Sequence, residues 1–364
     1  MKKIVFLDQY NTSGGAQTIL VNLVRFALEL NYEVEVWLPN GYYLQSQFKD
    51  EPRIHFKRIQ TPTLPFRRRS FMNHVYWIFY SLLFLRHFSK LKKVDFIYVN
   101  GPRLSLAAIL ISLFYPAKFF YHLHLIHSPI ENLIFKLAKV MPRTEYLFFA
   151  SDYLRHNFDG NKRHKKSVVF NGFLSTQFSA LPYVNRFNIF HSNEIRGLNI
   201  MLLARVYQGK GHDLFLKLAA DFPQHNFYII GNAADPSYYD MLRSRATTNV
   251  VFTYTDYVPT LINDLGIHVS VTPSIVAESF GLSPIESMAL SCLSIVSDKG
   301  NLPYQAEKTG SWVFSDYEQL KKMIQRIEAM DHSVLHKISR DQYESTKRYY
   351  ALNIAKAFFE KHVC

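Results

Sequence analysis

The segment that decides the fold reads Pro273-Ser-Ile-Val-Ala-Glu278-Ser-Phe-Gly281-Leu-Ser-Pro-Ile-Glu286-Ser-Met-Ala289. It follows an apolar run, carries a glycine and continues into a helical pattern, so it predicts a strand end, a loop and a helix start. Ser283 is the predicted N-cap, Pro284 suits the first helical position, and Glu286 lies three residues after the cap. Loop amides and a helix N-terminus together form a site for a phosphate-like anion.

Two carboxylates, Glu278 and Glu286, flank this predicted anion site. Carboxylates beside a phosphate site are expected to bind neutral hydroxyls rather than the phosphate, because two anions repel each other. Sugar and ribose hydroxyls are therefore the expected ligands. An alternative stays open for one of the two: Ser283 and Glu286 also have the spacing of a capping box, in which Glu286 would only close the helix N-terminus.

Short apolar strands alternate with helical patterns on both sides of this segment, which predicts parallel α/β sheets. In the C-terminal half the predicted strands are 200–204, 227–230, 250–253, 268–272 and 294–297, and the main predicted helices are 213–220, 284–290 and 317–330. In the N-terminal half the predicted strands are 3–7, 33–38, 96–99, 118–121, 146–150 and 167–170, with helices from Ala16 onward and over 104–114. The chain therefore contains two successive α/β units of similar size.

The weakest regular pattern lies between residues 171 and 198, where glycine and proline interrupt the chain, and we place the interdomain linker there. The predicted domains are residues 1–180 and 190–345. A last helical pattern runs over 341–362, and the helix at 346–364 is expected to pack back on the N-terminal domain.

Composition excludes several classes of protein. A chain of 364 residues, with 48% hydrophobic and 20% charged residues, is that of a globular protein with two domains. Cys292 and Cys364 are the only cysteines, too few for a disulfide framework or a cysteine-rich zinc site, which favours a reduced, cytoplasmic setting. The apolar run after Lys3 is too short for a signal peptide, and no run approaches the roughly 20 apolar residues that span a bilayer.

Residues along the whole chain carry a resemblance to a known family. Glu278 followed by Ser279-Phe280-Gly281, together with Glu286 followed by Met288-Ala289, resembles the Glu-x7-Glu motif of retaining glycosyltransferases of family 4, which have the GT-B fold. Further similar elements are Gly14-Gly15-Ala16, Phe170-Asn171-Gly172 and Leu202-Leu203-Ala204-Arg205 followed by Lys210-Gly211-His212. Two positions depart from the family pattern: Ser291 stands where glycine is frequent, and Glu307 is a weak match to a common acidic residue.

The resemblance implies an α/β protein of the GT-B type, with two Rossmann-like domains facing each other across a cleft. It implies transfer of a sugar from a nucleotide-diphosphate-sugar donor to an acceptor hydroxyl with retention at the anomeric carbon. The C-terminal domain would hold the donor and the N-terminal domain the acceptor. The implied donor-binding residues are Arg205, Lys210, Glu278, Ser279, Phe280, Gly281, Leu282 and Glu286. The implied catalytic residues are His124, Glu278, Arg205 and Lys210, and Gly14 and Gly15 form the implied acceptor or phosphate loop.

Arg205 and Lys210 follow a predicted strand at the edge where open α/β sheets bind ligands. A leaving nucleoside diphosphate gains negative charge as its bond to the sugar breaks, so fixed cations there stabilise the transition state more than the ground state. The alternative is that both are ordinary surface cations. The resemblance also implies that no metal and no cofactor are required, with these cations and helix dipoles taking the place of a metal.

The resemblance further places an active-site histidine at the end of the strand over 118–121. His124 aligns best with that position, His122 is the second candidate, and His127 is near enough to be confused with either. A structural role is the alternative for each of them. No carboxylate recurs beside them at the spacing of a metal site.

The segment from Arg53 to Lys93 contains ten Lys or Arg and no Asp or Glu, which accounts for most of the net charge of +13. Aromatic residues are interleaved with the charges, and Arg67-Arg68-Arg69 precede an apolar helical pattern over 75–85. We expect this segment to dock on the anionic cytoplasmic membrane face. The resemblance implies that it would meet there a lipid-linked glycan acceptor of bacterial lipopolysaccharide or capsule synthesis. A solvated basic helix is the alternative, and nucleic acid is not expected because no binding motif is present.

Two other classes of function stay open. The chain could be a different enzyme on the same fold, such as a sugar-nucleotide epimerase or a phosphorylase, although a phosphorylase would be expected to show a cofactor site. It could also be a non-catalytic glycosyltransferase-like scaffold. The presence of Glu278, Glu286, Arg205 and Lys210 together argues against the scaffold.

Overall fold

The computed structural model describes residues 1–8, 14–39, 43–59, 93–102, 104–162, 164–187 and 197–363, together with Phe79, Ser81, Leu82, Phe84, Leu85 and Phe88. The chain divides into two compact units. The N-terminal unit comprises Met1–Asn171 and Ala355–Cys364, and the C-terminal unit comprises Gly172–Ile354. The sequence pattern alone places these boundaries near residues 180 and 346.

The N-terminal unit is a parallel sheet covered by helices. Its elements are β1 (Lys3–Asp8), α1 (Gly15–Glu29), β2 (Glu33–Pro39), α2 (Tyr43–Ser46), β3 (Ile54–Ile59), β4 (Phe96–Asn100), α3 (Ser105–Ser112), β5 (Lys118–Leu123), α4 (Pro129–Val140), β6 (Thr144–Phe149), α5 (Asp152–Asp159) and β7 (Ser167–Val169). The strands pair in the order β3-β2-β1-β4-β5-β6-β7. The strand order therefore reverses between β1 and β4.

The C-terminal unit repeats this architecture. Its elements are α6 (Thr176–Ser179), β8 (Asn199–Leu203), α7 (His212–Asp221), β9 (Asn226–Ile230), α8 (Pro236–Arg245), β10 (Val250–Thr253), α9 (Val258–Asp264), β11 (Val269–Thr272), α10 (Leu282–Ala289), β12 (Leu293–Ser297), α11 (Leu302–Thr309), β13 (Trp312–Phe314), α12 (Tyr317–Glu328), α13 (His332–Tyr350) and α14 (Leu352–Val363), whose residues from Ala355 belong to the N-terminal unit. All pairs in the order β10-β9-β8-β11-β12-β13 are parallel. The strand order reverses between β8 and β11, and the two Rossmann-like sheets confirm the predicted fold class.

The two units fill their cores with different side chains. In the N-terminal unit, Phe120 of β5 stacks on Phe148 of β6 with ring centroids 5.9 Å apart, and Tyr98 of β4 stacks on both. These rings occupy neighbouring strands on one sheet face, which uses part of the chain's large aromatic content. The C-terminal core is mostly aliphatic and is built on β8, β9, β11 and β12.

The C-terminal helical pattern is not one helix, contrary to the prediction over 341–362. α13 ends at Tyr350, Ala351 has an extended backbone with ψ of 151°, and α14 begins at Leu352. Within the N-terminal unit, Phe359 of α14 packs against Phe26 of α1, and Lys356 pairs with Glu29. No proline or glycine marks the break in the sequence. Contacts distant in sequence hold it instead: the Tyr350 carbonyl accepts from the Leu174 amide at 2.8 Å, and the Leu352 amide donates to the Ser179 hydroxyl at 3.1 Å.

The basic segment starts with a strand, β3, which the sequence pattern does not predict. Arg67-Arg68-Arg69 and the aromatic residues Phe66, Phe71, Tyr76 and Trp77 lie outside the described residues. Farther on, the described residues between 79 and 88 are helical, and Phe84 packs edge-on against Trp37 at 5.5 Å. Within the described parts of the chain, no helix is long and apolar enough to cross a membrane.

Candidate functional site

The carboxyl ends of β8 and β11 lie side by side where the C-terminal sheet reverses its strand order, which is the place where open α/β sheets bind ligands. After β8 the chain makes a 3-10 turn over Gln208–Lys210 and enters α7. Gly211 has φ of 74°, and a Cβ at this position would lie 1.8 Å from the carbonyl oxygen of Pro273. Only glycine lets the turn that carries Lys210 contact the backbone at the end of β11.

This backbone contact brings Lys210 to Glu278. The ammonium nitrogen of Lys210 lies 2.6 Å from Oε1 of Glu278, and the Ser274 hydroxyl donates to the same oxygen at 2.5 Å. Both charged side chains are largely buried, with 18% of Lys210 and 13% of Glu278 exposed. A carboxylate with an ammonium and a hydroxyl on one oxygen keeps its other oxygen for a further hydrogen-bond donor.

Residues just before α11 hold the backbone of Glu278 in place. A Cβ at Gly300 would lie 2.3 Å from the Glu278 carbonyl oxygen, and Gly300 has φ of 65°. The amide of Asn301 donates to the same carbonyl at 2.8 Å. The Asn301 side chain then donates to the carbonyl oxygen of Phe280 at 2.9 Å. The loop from Glu278 to Gly281 is therefore held by contacts that nothing in the sequence pattern predicts.

The helix after this loop does not begin as the sequence predicts. α10 begins at Leu282, and its N-cap is Gly281 with φ of 89°; Ser283 lies inside the first turn and is not the cap. A glycine and not the expected serine is the N-cap because the loop enters the helix through a residue in the left-handed conformation, which glycine adopts without strain. The helix start has no side-chain cap, so its first amides are available to an anion.

Glu286 is not part of a capping box, which removes the alternative interpretation of this residue. Its side chain makes no hydrogen bond or ion pair with any residue that the structure describes. Burial raises the pKa of its carboxyl to about 7. The group is therefore poised between its neutral and charged forms near neutral pH.

Arg205 lies two residues after β8 and is exposed, and within the described chain it has no ion-pair partner. The other predicted donor-loop residues differ in exposure. Phe280 is buried, and a Cβ at Gly172 would lie within 2.4 Å of its ring. Ser279 and Leu282 are partly buried beside it. The structure thus joins Lys210 and Glu278 directly. Ser279 and Phe280 lie on the same loop as Glu278, and Leu282 and Glu286 lie in the helix that follows it.

A second polar cluster lies at the matching position of the N-terminal sheet, where β1 and β4 reverse the strand order. Asp8 ends β1 and is fully buried, and Asn100 ends β4. The Asn100 amide nitrogen donates to Asp8 Oδ1 at 3.1 Å, and the Asn100 oxygen lies 2.7 Å from Nε2 of His124. Gln17 of α1 donates to Asp8 at 3.4 Å. The predicted glycines lie just before Gln17 in the chain: Gly14 is the N-cap of α1, and Gly15 is the first residue of that helix.

The two histidine candidates differ in their surroundings. His122 is buried on β5, and its Nδ1 lies 2.8 Å from the Tyr98 hydroxyl; burial, with His124 nearby, holds its pKa well below the ordinary value. His124 is half-buried just beyond β5, and burial, with His127 nearby, lowers its pKa to about 3. Nδ1 of His127 lies 3.7 Å from Oε2 of Glu131 in α4. His124 is therefore the histidine of the polar cluster that solvent can reach.

Sequence reasoning missed several residues of these clusters. Asp8 and Asn100 are polar residues that directly end apolar strands, and this signal is visible in the sequence. Ser274 lies inside the quoted segment but has no distinguishing mark. Gln17 and Asn301 carry no local signal. Within the described ranges, no three His, Cys, Asp or Glu side chains are grouped as metal ligands.

Comparison with known proteins gives a family-model match and similar solved structures. Residues 186–347, all within the C-terminal unit, are similar to the family model described as glycosyl transferases group 1. The sequence has no match among curated proteins.

Several solved structures are similar over nearly the whole chain. The Anabaena protein Alr3699/HepE in complex with UDP and glucose has a TM-score of 0.78 at 15% identity, covering 100% of this chain and 99% of that one. Sucrose-phosphate synthase from Thermosynechococcus elongatus has a TM-score of 0.79 at 14% identity, covering 99% of this chain and 98% of that one. A UDP-forming α,α-trehalose-phosphate synthase from Burkholderia xenovorans has a TM-score of 0.74 at 14% identity, covering 100% of this chain and 99% of that one. At these identities the likeness shows the fold, which is that of GT-B glycosyltransferases.

Proposed function

We propose that this chain is a retaining glycosyltransferase, which is supported by the similarity of residues 186–347 to the glycosyl transferases group 1 model and by the GT-B fold. It moves a sugar from a nucleotide-diphosphate-sugar to an acceptor hydroxyl. The observation that carries the proposal is the pair of Lys210 and Glu278, held together at the reversal point of the C-terminal sheet. A cation for a diphosphate and a carboxylate for sugar hydroxyls are the two groups that such a donor needs.

The cations act on the leaving group. Lys210 and the exposed Arg205 neutralise the charge that develops on the nucleoside diphosphate as its bond to the anomeric carbon breaks. The uncapped N-terminus of α10 adds amide donors and the positive end of a helix dipole. These groups stabilise the transition state without a metal ion.

The carboxylates bind hydroxyl groups of the donor. Glu278 has one oxygen occupied by Lys210 and Ser274, and its other oxygen accepts from a sugar hydroxyl. Glu286, which has no partner among the described residues, accepts from the ribose hydroxyls of the nucleotide. Binding a diol satisfies a half-buried carboxyl that otherwise stays unpaired.

The transfer follows a front-face path. The acceptor oxygen bonds to the anomeric carbon on the face that the diphosphate leaves, and a phosphate oxygen takes the proton of the acceptor hydroxyl. No side chain forms a covalent intermediate. Glu278 is a poor nucleophile because Lys210 and Ser274 already engage its charge, so the two-carboxylate mechanism of glycoside hydrolases does not fit.

Uridine diphosphate sugars are the first donors to test. The similar Anabaena protein is described in complex with UDP and with UDP-glucose. The two similar synthases include one described as UDP-forming. Nothing in the described site distinguishes one hexose from another, so the donor has to be found by screening.

We further propose a lipid-linked glycan acceptor, reached at the anionic inner face of the cell membrane. The N-terminal unit has 26 Lys or Arg against 12 Asp or Glu, whereas the C-terminal unit has 16 against 17. All the excess positive charge thus lies in the domain assigned to the acceptor, which favours an anionic surface.

An exposed apolar face in the same unit supports membrane contact. α4 packs its buried residues Ile134, Phe135 and Ala138 inward, yet it also presents large apolar side chains to solvent. The exposed set, which we call the α4 apolar surface, consists of Ile130, Leu133, Leu137 and Val140, with exposed fractions between 43% and 66%. A contiguous apolar stripe of this kind marks an interaction site rather than a solvated face.

The proposed function is tested by a donor screen. The protein is mixed with UDP-, GDP- and ADP-sugars, and slow donor hydrolysis and the shift in melting temperature are measured for each. We expect one nucleotide class to be hydrolysed and to raise the melting temperature, and the product anomer, read by proton NMR, to keep the donor configuration. Absence of hydrolysis and of thermal shift with every donor would contradict the assignment, and an inverted product would contradict retention alone.

A further inference from the structure

The hydrogen-bonded chain from Asp8 through Asn100 to His124 has only one consistent direction. A carboxylate accepts hydrogen bonds and donates none, so the atom of Asn100 that faces Asp8 at 3.1 Å is the amide nitrogen. The side-chain oxygen of Asn100 consequently faces His124 Nε2 at 2.7 Å. A carbonyl oxygen at this distance requires a proton on Nε2.

We propose that Asp8, acting through Asn100, is a positioning residue that holds the His124 ring in its neutral form with the proton on Nε2 and the lone pair on Nδ1. Asp8 does not reach the ring itself. It sets the orientation of the Asn100 amide, and the amide selects the histidine tautomer. Gln17, which donates to Asp8 from α1 at 3.4 Å, helps to hold the carboxylate in place.

The surroundings of His124 disfavour a charged ring. The His122 ring lies 3.8 Å from the His124 ring, centroid to centroid. Two imidazolium rings at that separation would repel strongly, and burial already disfavours charge on either one. The Tyr98 hydroxyl engages His122 and not His124. No carboxylate contacts the His124 ring within the described chain, because Asn100 stands between it and Asp8.

The consequence for the reaction rests on the proposed function. Nδ1 of His124 has no hydrogen-bond partner among the described residues, so it presents an unused lone pair on this partly exposed residue. It accepts a hydrogen bond from a substrate hydroxyl, and it neither donates a proton nor carries charge. A ring with the proton on Nδ1 would meet that hydroxyl with a donor, and the hydrogen bond would require the hydroxyl to turn.

The test is the tautomer of His124 in the unliganded full-length protein, which needs no knowledge of the substrate. The ring nitrogens are labelled with 15N, and the His124 signals are assigned by their loss in His124→Gln. In the wild type we expect an N–H type shift for Nε2 and a lone-pair type shift for Nδ1 at pH 7. A proton on Nδ1, or a charged ring, in the wild type would overturn the proposal.

The variant Asp8→Asn tests the origin of the tautomer. An asparagine at position 8 can donate or accept, so Asn100 loses its fixed orientation, and we expect the His124 nitrogen shifts to average or to exchange roles. Asp152→Asn, the same change at a partly exposed carboxylate on α5, is the matched control and should leave them unchanged. If Asp8→Asn does not fold, the wild-type tautomer still decides, and Asn100→Leu replaces it as the second variant. Unchanged His124 shifts in a folded Asp8→Asn protein would refute the role of Asp8.

A kinetic readout separates this inference from the proposed function. With a donor found by screening, Asp8→Asn should lower kcat about tenfold, the scale of one hydrogen bond, while the donor KM stays within about twofold. Altered tautomer with unaltered kcat would uphold the positioning of His124 and contradict its role in transfer. A chain without any transferase activity would leave the NMR result standing and remove the proposed function.

Discussion

Lys210 donates to Glu278 at 2.6 Å although 68 residues separate them in the sequence. The Ser274 hydroxyl donates to the same carboxylate oxygen. Because the contact with Glu278 positions the ammonium, the diphosphate of the proposed donor would meet a cation that loses little further side-chain freedom. Preorganised charge of this kind stabilises a transition state without reorganisation during the reaction.

Replacing Glu278 with glutamine should harm both stability and activity. Glu278→Gln leaves the largely buried Lys210 charge without its carboxylate, so the free energy of unfolding should fall by about 2 kcal/mol. Turnover should fall by about 10²-fold or more. Urea unfolding and donor turnover measure the two effects. The control is Glu344→Gln, whose exposed pair with Arg340 should change the free energy of unfolding by less than about 1 kcal/mol. A Glu278→Gln protein with wild-type turnover would remove Glu278 from the site.

Arg205 and Lys210 should separate activity from stability. Arg205→Ala should lower turnover about 10²-fold through loss of a charge on the leaving diphosphate, with the free energy of unfolding within about 0.5 kcal/mol of the wild type, because its side chain is exposed. Lys210→Ala should lower turnover similarly and also lower stability, since it breaks the pair with Glu278. Arg243→Ala, an exposed arginine of α8, is the control for both. Wild-type turnover in both site variants would contradict the proposal that Arg205 and Lys210 stabilise the leaving group.

Glu286 should make stability depend on pH. Its carboxyl has an ordinary pKa of 4.5 and a folded-state pKa of about 7, so the folded protein binds the proton more tightly than the unfolded chain. The resulting stabilisation is fully present below pH 4.5 and is lost as the pH rises to about 7, amounting to about 3 kcal/mol at most. Urea unfolding at pH 4.5, 6 and 7.5 should show a flatter profile for Glu286→Gln than for the wild type. Identical profiles for the two proteins would contradict the raised pKa.

The same variant distinguishes a ligand role from a purely structural one. If Glu286 accepts from ribose hydroxyls, Glu286→Gln should reduce the melting-temperature shift that the nucleotide produces. A smaller shift in a protein that folds normally supports the proposal. An unchanged shift would show that the nucleotide does not use this carboxylate.

Chelation tests the expected independence from metal ions. Donor turnover measured after treatment with EDTA should stay close to that of the untreated enzyme, because in the proposed mechanism Arg205, Lys210 and the α10 N-terminus neutralise the diphosphate. Magnesium or manganese added back should have little effect. Complete loss on chelation, restored by either ion, would contradict the mechanism proposed for the leaving group.

Membrane docking should need both charge and apolar surface. The full-length protein should sediment with anionic phospholipid vesicles at low salt, with less binding to neutral vesicles and at high salt. The triple variant Arg67/Arg68/Arg69→Ser and the double variant Leu133→Ser with Leu137→Ser should each bind more weakly. Val334→Ser, at an exposed apolar residue of α13 in the other unit, is the control for the serine changes. Binding that ignores lipid charge, salt and both variants would refute docking and leave the transferase proposal intact.

The strand and helix pattern was predictable because it is local information. The strand at 250–253 has the predicted limits, and most others agree within one or two residues, since period-two and period-3.6 patterns reflect which side chains a sheet or helix buries. Two local predictions were wrong for reasons that lie outside the segment. The helix at 341–362 breaks at Ala351, and the N-cap of α10 is Gly281 instead of Ser283. In both places the backbone is set by its neighbours, which override the local cap and helix preferences.

The sequence by itself determined the alternation that makes two parallel sheets and the segment that carries Glu278 and Glu286, because both follow from residue spacing along the chain. Only the tertiary structure decided which side chains meet. Lys210 contacts Glu278 because Gly211 lets the turn that carries Lys210 approach the backbone at Pro273 closely. Asp8, Asn100 and His124 meet because β1, β4 and β5 end side by side. Contacts between residues far apart in sequence depend on strand order and close backbone approach, and spacing along one chain does not encode these distances.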